Sequence, residues 1–268
     1  MAEDQVYGRE EFASFQAKSN PNSRIKKVIA VMSGKGGVGK SMVTCLLAQN
    51  AAQAGKKVAV LDADVTGPSI PTMLGVKELA TGSETEIYPP RSKEGIEVMS
   101  LNLINEDPTQ PVVWRGQIIA DLVKQFYSDV RWGEVDEMYV DMPPGTGDVP
   151  LTVFQSLPVR CVVVVASPQD LVSLIVEKAV RMAQMMSLPI AGLVMNMSYL
   201  VCPHCGEKIR PYGTPEDGLA KKYGIPNYEE LPIEPRLAKE CDAGQLAQEA
   251  GKYLASLSES IHKMADSQ

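Results

Sequence analysis

Long apolar runs are missing from this 268-residue chain. The longest strongly apolar stretch, residues 161–166, is far short of the roughly 20 residues that a membrane-spanning helix needs, so no membrane partner is expected. Runs of basic residues are missing as well. The balance of 26 Lys+Arg against 33 Asp+Glu gives a net charge of -7, which disfavours charge-driven binding to nucleic acid. The start, MAEDQVYGREEF, lacks the basic and then apolar pattern of a secretory signal, so a soluble, cytoplasmic protein is expected. Cysteine is scarce. The count of five is odd and only Cys202 and Cys205 lie close together, which argues against a disulfide framework and for reduced thiols. No staple is needed either, because folding at this length buries about three quarters of the unfolded chain's surface. Any metal ligand therefore serves function rather than stability.

What the sequence does contain is an alternation of two patterns. Residues 1–25 are polar and aperiodic and read as a lead-in. From there to residue 268 a single domain is expected. Short runs rich in β-branched residues, at 28–33, 58–64, 138–142, 161–166 and 191–197, show little polar alternation, as strands covered on both faces do. Between them the spacing predicts helices over 40–54, 116–128 and about 170–187. Strand and helix in turn imply parallel strands with right-handed crossovers. The predicted fold is α/β, a doubly wound, mainly parallel sheet with helices on both faces. Leu246, Ala250, Leu254, Leu257, Ile261 and Met264 form one stripe and predict a closing helix. The segment 197–213, ahead of a helix opened by Thr214, Pro215, Glu216 and Asp217, is expected to be a long irregular loop, and such loops usually carry function.

Directly after the first strand stand Gly34, Lys35, Gly36, Gly37, Val38, Gly39, Lys40 and Ser41, a full match to the phosphate-loop pattern in its strand-loop-helix context. Glycines let the backbone N–H groups turn inward around a di- or triphosphate, Lys40 neutralises charge, and the Ser41 hydroxyl ligates magnesium. The competing reading is a glycine-rich turn. Asp141, ending MYVDM, is placed to join the magnesium shell, or else to cap its strand. The turn that follows, from Pro143 and Pro144 through Gly145, Thr146 and Gly147 to Asp148, is a candidate γ-phosphate sensor. Asp62 and Asp64 are expected to point to opposite faces of the second strand and to divide the work, Asp62 in the magnesium shell and Asp64 on the attacking water. The competing reading is that one of them caps the following loop. Lys35 is unusual, since the loop already has Lys40. At the front of the loop it would project toward a nucleotide in a facing subunit and stabilise charge there, as an arginine finger does; the alternative is a solvated lysine.

Cys202-Pro203-His204-Cys205-Gly206 supplies half of a zinc or iron-sulfur site. Cys45 and Cys161 fall in a helix and a buried strand, Cys241 is solitary, and His204 reads as a loop residue. A two-fold dimer would bring the same loop together twice and give four thiolates. A zinc clamp and a labile iron-sulfur cluster both satisfy this count. A thioredoxin-like pair would sit at a helix N-terminus, whereas Gly206, Glu207, Lys208 and Pro211 follow here. Two unliganded thiols is the remaining reading.

Taken together, SGKGGVGKS, LDADVTGPSIPTMLG, the Trp114-Arg115-Gly116 turn, DMPPGTGD, MNMSYLVCPHCG and LPIEPRLAKECDAG resemble the Mrp/ApbC group of iron-sulfur carrier ATPases. That group belongs to the deviant Walker A class with MinD, ParA and the nitrogenase iron protein. The resemblance implies a homodimer and a slow ATPase with ATP and Mg2+ on residues 34–41. It also implies that Lys35 acts across the interface, that Asn196 contacts adenine, and that a bridging 4Fe-4S cluster sits on Cys202 and Cys205, to be passed to apo-proteins. Met42 departs from the group's usual threonine and removes a hydroxyl near the α-phosphate. The N-terminal cysteine motif and small N-terminal domain of some members are absent, so partners of those forms do not transfer. Two other classes compete. A MinD- or ParA-like positioning ATPase needs a basic amphipathic tail or basic face, and a nucleotide-binding scaffold, zinc-clamped or not, would release no phosphate.

Overall fold

The computed structural model describes residues 16–65, 67, 69–83, 86–104, 116–168, 172–213 and 218–265. Its strands are β1 (Arg24–Ser33), β2 (Val58–Asp62), β3 (Thr81–Gly82), β4 (Ile87–Tyr88), β5 (Glu97–Met99), β6 (Glu134–Asp141), β7 (Cys161–Ala166), β8 (Ile190–Val201), β9 (Lys208–Ile209) and β10 (Tyr228–Pro232). The helices are α1 (Lys40–Gln53), α2 (Ile70–Met73), α3 (Gly116–Ser128), α4 (Asp148–Ser156), α5 (Val172–Met185), α6 (Gly218–Lys222), α7 (Pro235–Ala243) and α8 (Ala255–Lys263).

Seven strands pair in the order β10-β8-β7-β1-β6-β2-β5, every pair parallel. β1 shows why both faces must be covered. Its alternate residues Val28, Ala30 and Met32 pack with Val123, Phe126, Val153 and Val180 from α3, α4 and α5. Ile29 and Val31 face the other way, onto Leu46, Leu47, Leu237 and Ile261 from α1, α7 and α8. A strand with a period of two and no polar face can only sit between two layers. The doubly wound sheet expected from sequence is the fold observed. α1 runs behind its centre and is buried on every side from Val43 to Ala51; within that stretch Thr44 bonds to Asp141, and Asn50 to the Tyr253 carbonyl and Ser258. Among the described residues no helix is long and apolar enough to cross a membrane.

Three expectations change. Residues 197–213 are irregular only in part: β8 runs on to Val201 and folds back antiparallel onto the two-residue β9, so the cysteines sit in a hairpin turn, with further turn at 210–213. The single closing helix is broken, with a 3-10 turn over Leu246–Glu249 and α8 starting only at Ala255. The break lies where Gly251 and Leu254 take positive φ, 77° and 59°, which a continuous helix forbids. The edge strands β5 and β10 went unnoticed. The Trp114-Arg115 turn and Thr214 to Asp217 lie outside the described residues.

At the N-terminal end of the sheet, buried Lys27 donates from Nζ to the carbonyls of His262 (2.9 Å) and Ile261 (3.3 Å). The adjacent Glu137, also buried, meets His262 Nδ1 at 2.9 Å and accepts from the Tyr139 hydroxyl at 2.8 Å.

Candidate functional site

At the opposite, C-terminal edge of the strands the chain turns from β1 into α1, next to the ends of β2 and β6. Ligands of open α/β sheets bind at this edge. The turn needs glycine twice: Gly37 and Gly39 have φ of 81° and 83°, the left-handed region that side chains avoid. Gly39 is also crowded, since a Cβ there would stand 2.2 Å from Asn196 Nδ2. That nitrogen donates to the Val38 carbonyl at 2.9 Å.

Lys40, the first residue of α1, is buried. Its ammonium lies 2.8 Å from Asp141 Oδ1 and 3.4 Å from Asp64 Oδ2. Burial works against the charged form, but Asp141 and then Asp64 outweigh it and hold the pKa above the ordinary lysine value. The Nζ nevertheless lacks a well-directed hydrogen-bond acceptor. A buried, incompletely satisfied ammonium beside a loop of left-handed glycines is a fit for phosphate oxygens.

Asp141 is fully buried and organises the site. Its Oδ2 accepts from the Ser41 hydroxyl at 2.6 Å and its Oδ1 from the Thr44 hydroxyl at 2.9 Å. A carboxylate that holds the Ser41 oxygen in this way presents that oxygen's lone pairs to a hard cation, the donor chemistry of magnesium. Asp62 stands in register with Asp141 on the neighbouring strand. It accepts from Ser100 Oγ at 3.1 Å and from the Asp64 N–H at 3.2 Å. Burial first, and then the Asp141 charge, push its pKa well above the ordinary carboxylate value.

Asp62 and Asp64 do not diverge as expected. Residues two apart share a face of a strand, and β2 ends at Asp62, so Asp64 belongs to the loop. The charges of both act on Lys40. Beyond Asp64 opens a groove of about 270 Å³ lined by Asp64, Val65, Ile119, Pro143, Pro144 and Asp148. The turn over residues 143–148 is tied to β1, with the Gly145 N–H donating to the Ser33 carbonyl at 2.9 Å. Lys35, half-buried at the front of the loop, accepts on its carbonyl from Ser33 Oγ at 2.8 Å.

The cysteine pair occupies the β8–β9 turn. The Cys202 N–H donates to the Glu207 carbonyl, and the Gly206 N–H to the Cys202 carbonyl, both at 2.9 Å. Gly206 takes φ 74° to close the turn. The backbone N–H groups of Cys205 and His204, joined by the Cys205 thiol, hold the Cys202 pKa below the ordinary thiol value. Cys205 is exposed and Cys202 half-buried, whereas Cys45, Cys161 and Cys241 are all buried. Burial pushes the Cys45 thiol well up and Cys241 up to about 11. Among the described residues no three His, Cys, Asp or Glu side chains gather into a metal site. The hairpin of one chain thus offers two thiols.

A family model described as "ParA: NUBPL iron-transfer P-loop NTPase" matches residues 24–267. The chain belongs to that family. An iron-sulfur cluster carrier protein of Clostridium perfringens is 42% identical over 253 residues, covering 91% of this chain and 87% of the relative. One from Methanocaldococcus jannaschii is 41% identical over 236 residues, covering 87% and 81%. A nucleotide-binding protein of Archaeoglobus fulgidus, solved with ADP, superposes with a TM-score of 0.75 at 39% identity, covering 92% of this chain and 94% of that one. The cell-division ATPase MinD of Pyrococcus furiosus, at 19% identity and TM-score 0.61 over 90% and 100%, shares the fold.

Lys40, Ser41, Asp62, Asp64 and Asp141, named from sequence, thus converge at one edge, and Asn196 joins them against the loop backbone. Cys202 and Cys205 stand apart in their hairpin. Two participants went unnamed. Thr44 lies three residues after Ser41, on the same face of a helix, so its spacing was a readable signal. Ser100 follows the three-residue β5, too short to carry a pattern.

Proposed function

We propose that this chain is an ATP-dependent iron-sulfur cluster carrier that works as a cytoplasmic homodimer, with residues 26–268 forming one domain. The observation that carries this reading is the two-thiol hairpin on a P-loop NTPase, with Cys205 exposed and Cys202 half-buried, a donor set that no other described side chain joins and that a second copy of the chain would complete. Two protomers give the four thiolates that a 4Fe-4S cargo requires. Family membership and the carriers named above support the reading.

In this reading Gly34 to Ser41 bind the nucleotide, and the Lys40 ammonium neutralises its phosphates. Ser41, Asp62 and Asp141 would hold magnesium, which would supply charge neutralisation at the phosphates. Asp64, the least buried of the three carboxylates around Lys40, orients the attacking water. Lys35 reaches across to the partner's nucleotide, Asn196 meets adenine, and hydrolysis is slow. The cluster passes to apo-proteins whose cysteines complete the exchange.

Anaerobic reconstitution with iron and sulfide tests the proposal. About four iron atoms per dimer are expected, with loss in Cys202→Ala and Cys205→Ala and retention in Cys45→Ala. A tightly held zinc ion that iron cannot displace overturns the carrier reading and favours a structural clamp.

A further inference from the structure

β8 runs past the phosphate loop, where its Asn196 meets Val38, and on into the cysteine hairpin, and its register slips twice, near Ala191 against β7 and at 196–198 against β10; the second slip lies between the two sites. Along β10, Tyr228, Glu229 and Glu230 pair with Leu193, Val194 and Met195 in step. The next pair is Pro232 with Tyr199. Three residues of β8, 196–198, therefore face one of β10. On the other side the pairing with β7 ends at Met195. Met197, in the middle of the bulge, takes φ 56°, a conformation a residue other than glycine or asparagine seldom adopts. Bulges re-aim side chains beside functional sites, and strain of this kind collects there.

Here the re-aimed side chain is Asn196, and its carboxamide is used at both ends. Nδ2 donates to the Val38 carbonyl at 2.9 Å, and Oδ1 accepts from the Met197 N–H at 2.9 Å. The first bond holds the phosphate loop and the second holds the bulge. The contact has no slack, because the backbone of Gly39 packs where any Cβ would strike the same amide at 2.2 Å. A shift of Val38 and Gly39 must therefore move Asn196.

Downstream of the bulge the path to the thiols is braced. Tyr199 rejoins β10, and its carbonyl accepts from the Ile233 N–H. Arg210, on the return arm of the hairpin, donates to Ser198 Oγ at 2.9 Å and pairs with Glu230 at 2.8 Å. Lys208 stacks over the Tyr199 ring at 4.2 Å. Asn196 and Cys202 are six positions apart, at most about 20 Å of extended strand.

We propose that Asn196 is a positioning residue that makes the cysteine hairpin of its own protomer respond to nucleotide at the phosphate loop, through the bulge at 196–198. The proposal rests on residues 34–41 being the nucleotide site. It routes the coupling through one chain rather than through closure of the dimer.

The test is the rate at which iodoacetamide alkylates Cys202 and Cys205 in the cluster-free full chain, read by peptide mass spectrometry, with and without saturating Mg-ADP. Occupancy is followed in parallel with a fluorescent ADP analogue. Wild type is expected to bind and to change its labelling rate about fivefold or more, the lower end of ordinary coupling between sites. Asn196→Asp keeps the acceptor for Met197 N–H and loses the donor to Val38. It is expected to cut the response to under about twofold at full occupancy.

Met197→Gly guards against an Asn196 variant that fails to fold or bind. It leaves the carboxamide in place and relieves the left-handed φ, so the bulge absorbs movement instead of passing it on, and the response is again expected to fall. An unchanged response in Met197→Gly, or nucleotide bound by wild type without any change in labelling, overturns the proposal and leaves the nucleotide site standing. Failure of wild type to bind nucleotide at all overturns the nucleotide site and the coupling with it.

Discussion

Gly37 and Gly39 have nearly the same left-handed φ, 81° and 83°, yet alanine should behave very differently at the two positions. At Gly37 a Cβ meets nothing within 4 Å, so Gly37→Ala carries only the backbone penalty, about 1–2 kcal/mol. At Gly39 the Cβ would stand 2.2 Å from Asn196 Nδ2, and the amide has to leave. Its bond to the Val38 carbonyl is then lost in a buried setting, which adds about 1–3 kcal/mol. Gly39→Ala should therefore cost about 2–5 kcal/mol in total. Urea denaturation of the nucleotide-free protein measures both variants, the midpoint falling at constant slope. A double-mutant cycle isolates the steric part. In an Asn196→Ala background the obstruction is gone, and Gly39→Ala should cost no more than Gly37→Ala. Equal losses for the two single variants, or an excess at Gly39 that survives the removal of Asn196, would refute the reasoning.

Thr44→Val removes one donor from fully buried Asp141 with little change of shape and should destabilise the protein by about 1–3 kcal/mol while weakening nucleotide binding; unchanged melting and affinity would show that the hydroxyl is idle. The carboxyl of Asp62, raised in the folded state, holds its proton longer than the unfolded chain's does. Its contribution is therefore present at low pH and declines as pH rises from about 4 toward the raised value, and the stability difference between wild type and Asp62→Asn, followed by thermal melts across that range, should shift in favour of Asn as pH rises. Mixed Lys35→Ala and Asp64→Ala protomers should recover ATPase activity that neither has alone, since each heterodimer keeps one site with its own Asp64 and its partner's Lys35; formed heterodimers without recovery would place Lys35 in its own site. Alkylation of native protein at pH 8 should label Cys202 and Cys205 and spare Cys45, Cys161 and Cys241, and rapid labelling of Cys241 would contradict its burial and its pKa of about 11.

The centre of this fold is written in local sequence, because strands such as β7, buried on both faces, must be apolar throughout, and Cys161–Ala166 was legible to the residue. The loop over 34–41 was legible for a related reason: backbone that wraps phosphate needs glycine at fixed positions. What escaped was non-local. β10 reads Tyr-Glu-Glu-Leu-Pro, which no periodicity marks as a strand. Its glutamates are partly buried and employed, Glu229 accepting from the Leu257 N–H and Glu230 pairing with Arg210. The hairpin around the cysteines was hidden because its two arms pair over only two residues each. The bulge in β8 leaves no trace in composition, since it arises from the register of the neighbouring strand. Asn196 was legible through family resemblance, but its grip on the Val38 carbonyl belongs to the assembled structure alone.

The hydrogen bonds from Lys27 to the end of α8 span 234 and 235 positions, and they set an order of events. Lys27 and Glu137 sit at the start of the two central strands, paired with each other in register, and would bury two charged groups as soon as β1 and β6 zip together. Until residues 261 and 262 arrive, the two groups have each other at 3.9 Å and the carboxylate has the Tyr139 hydroxyl, but the ammonium lacks its two carbonyls and the carboxylate its imidazole, so part of the electrostatic demand of the central pairing is unmet. A chain interrupted before residue 255 should therefore fail at the middle of its sheet, far from the missing segment. During synthesis the phosphate loop, which hangs from the other end of β1, would be held in an unfinished frame until α8 docks. Competence to bind nucleotide then doubles as a report that the whole length of the sheet has closed.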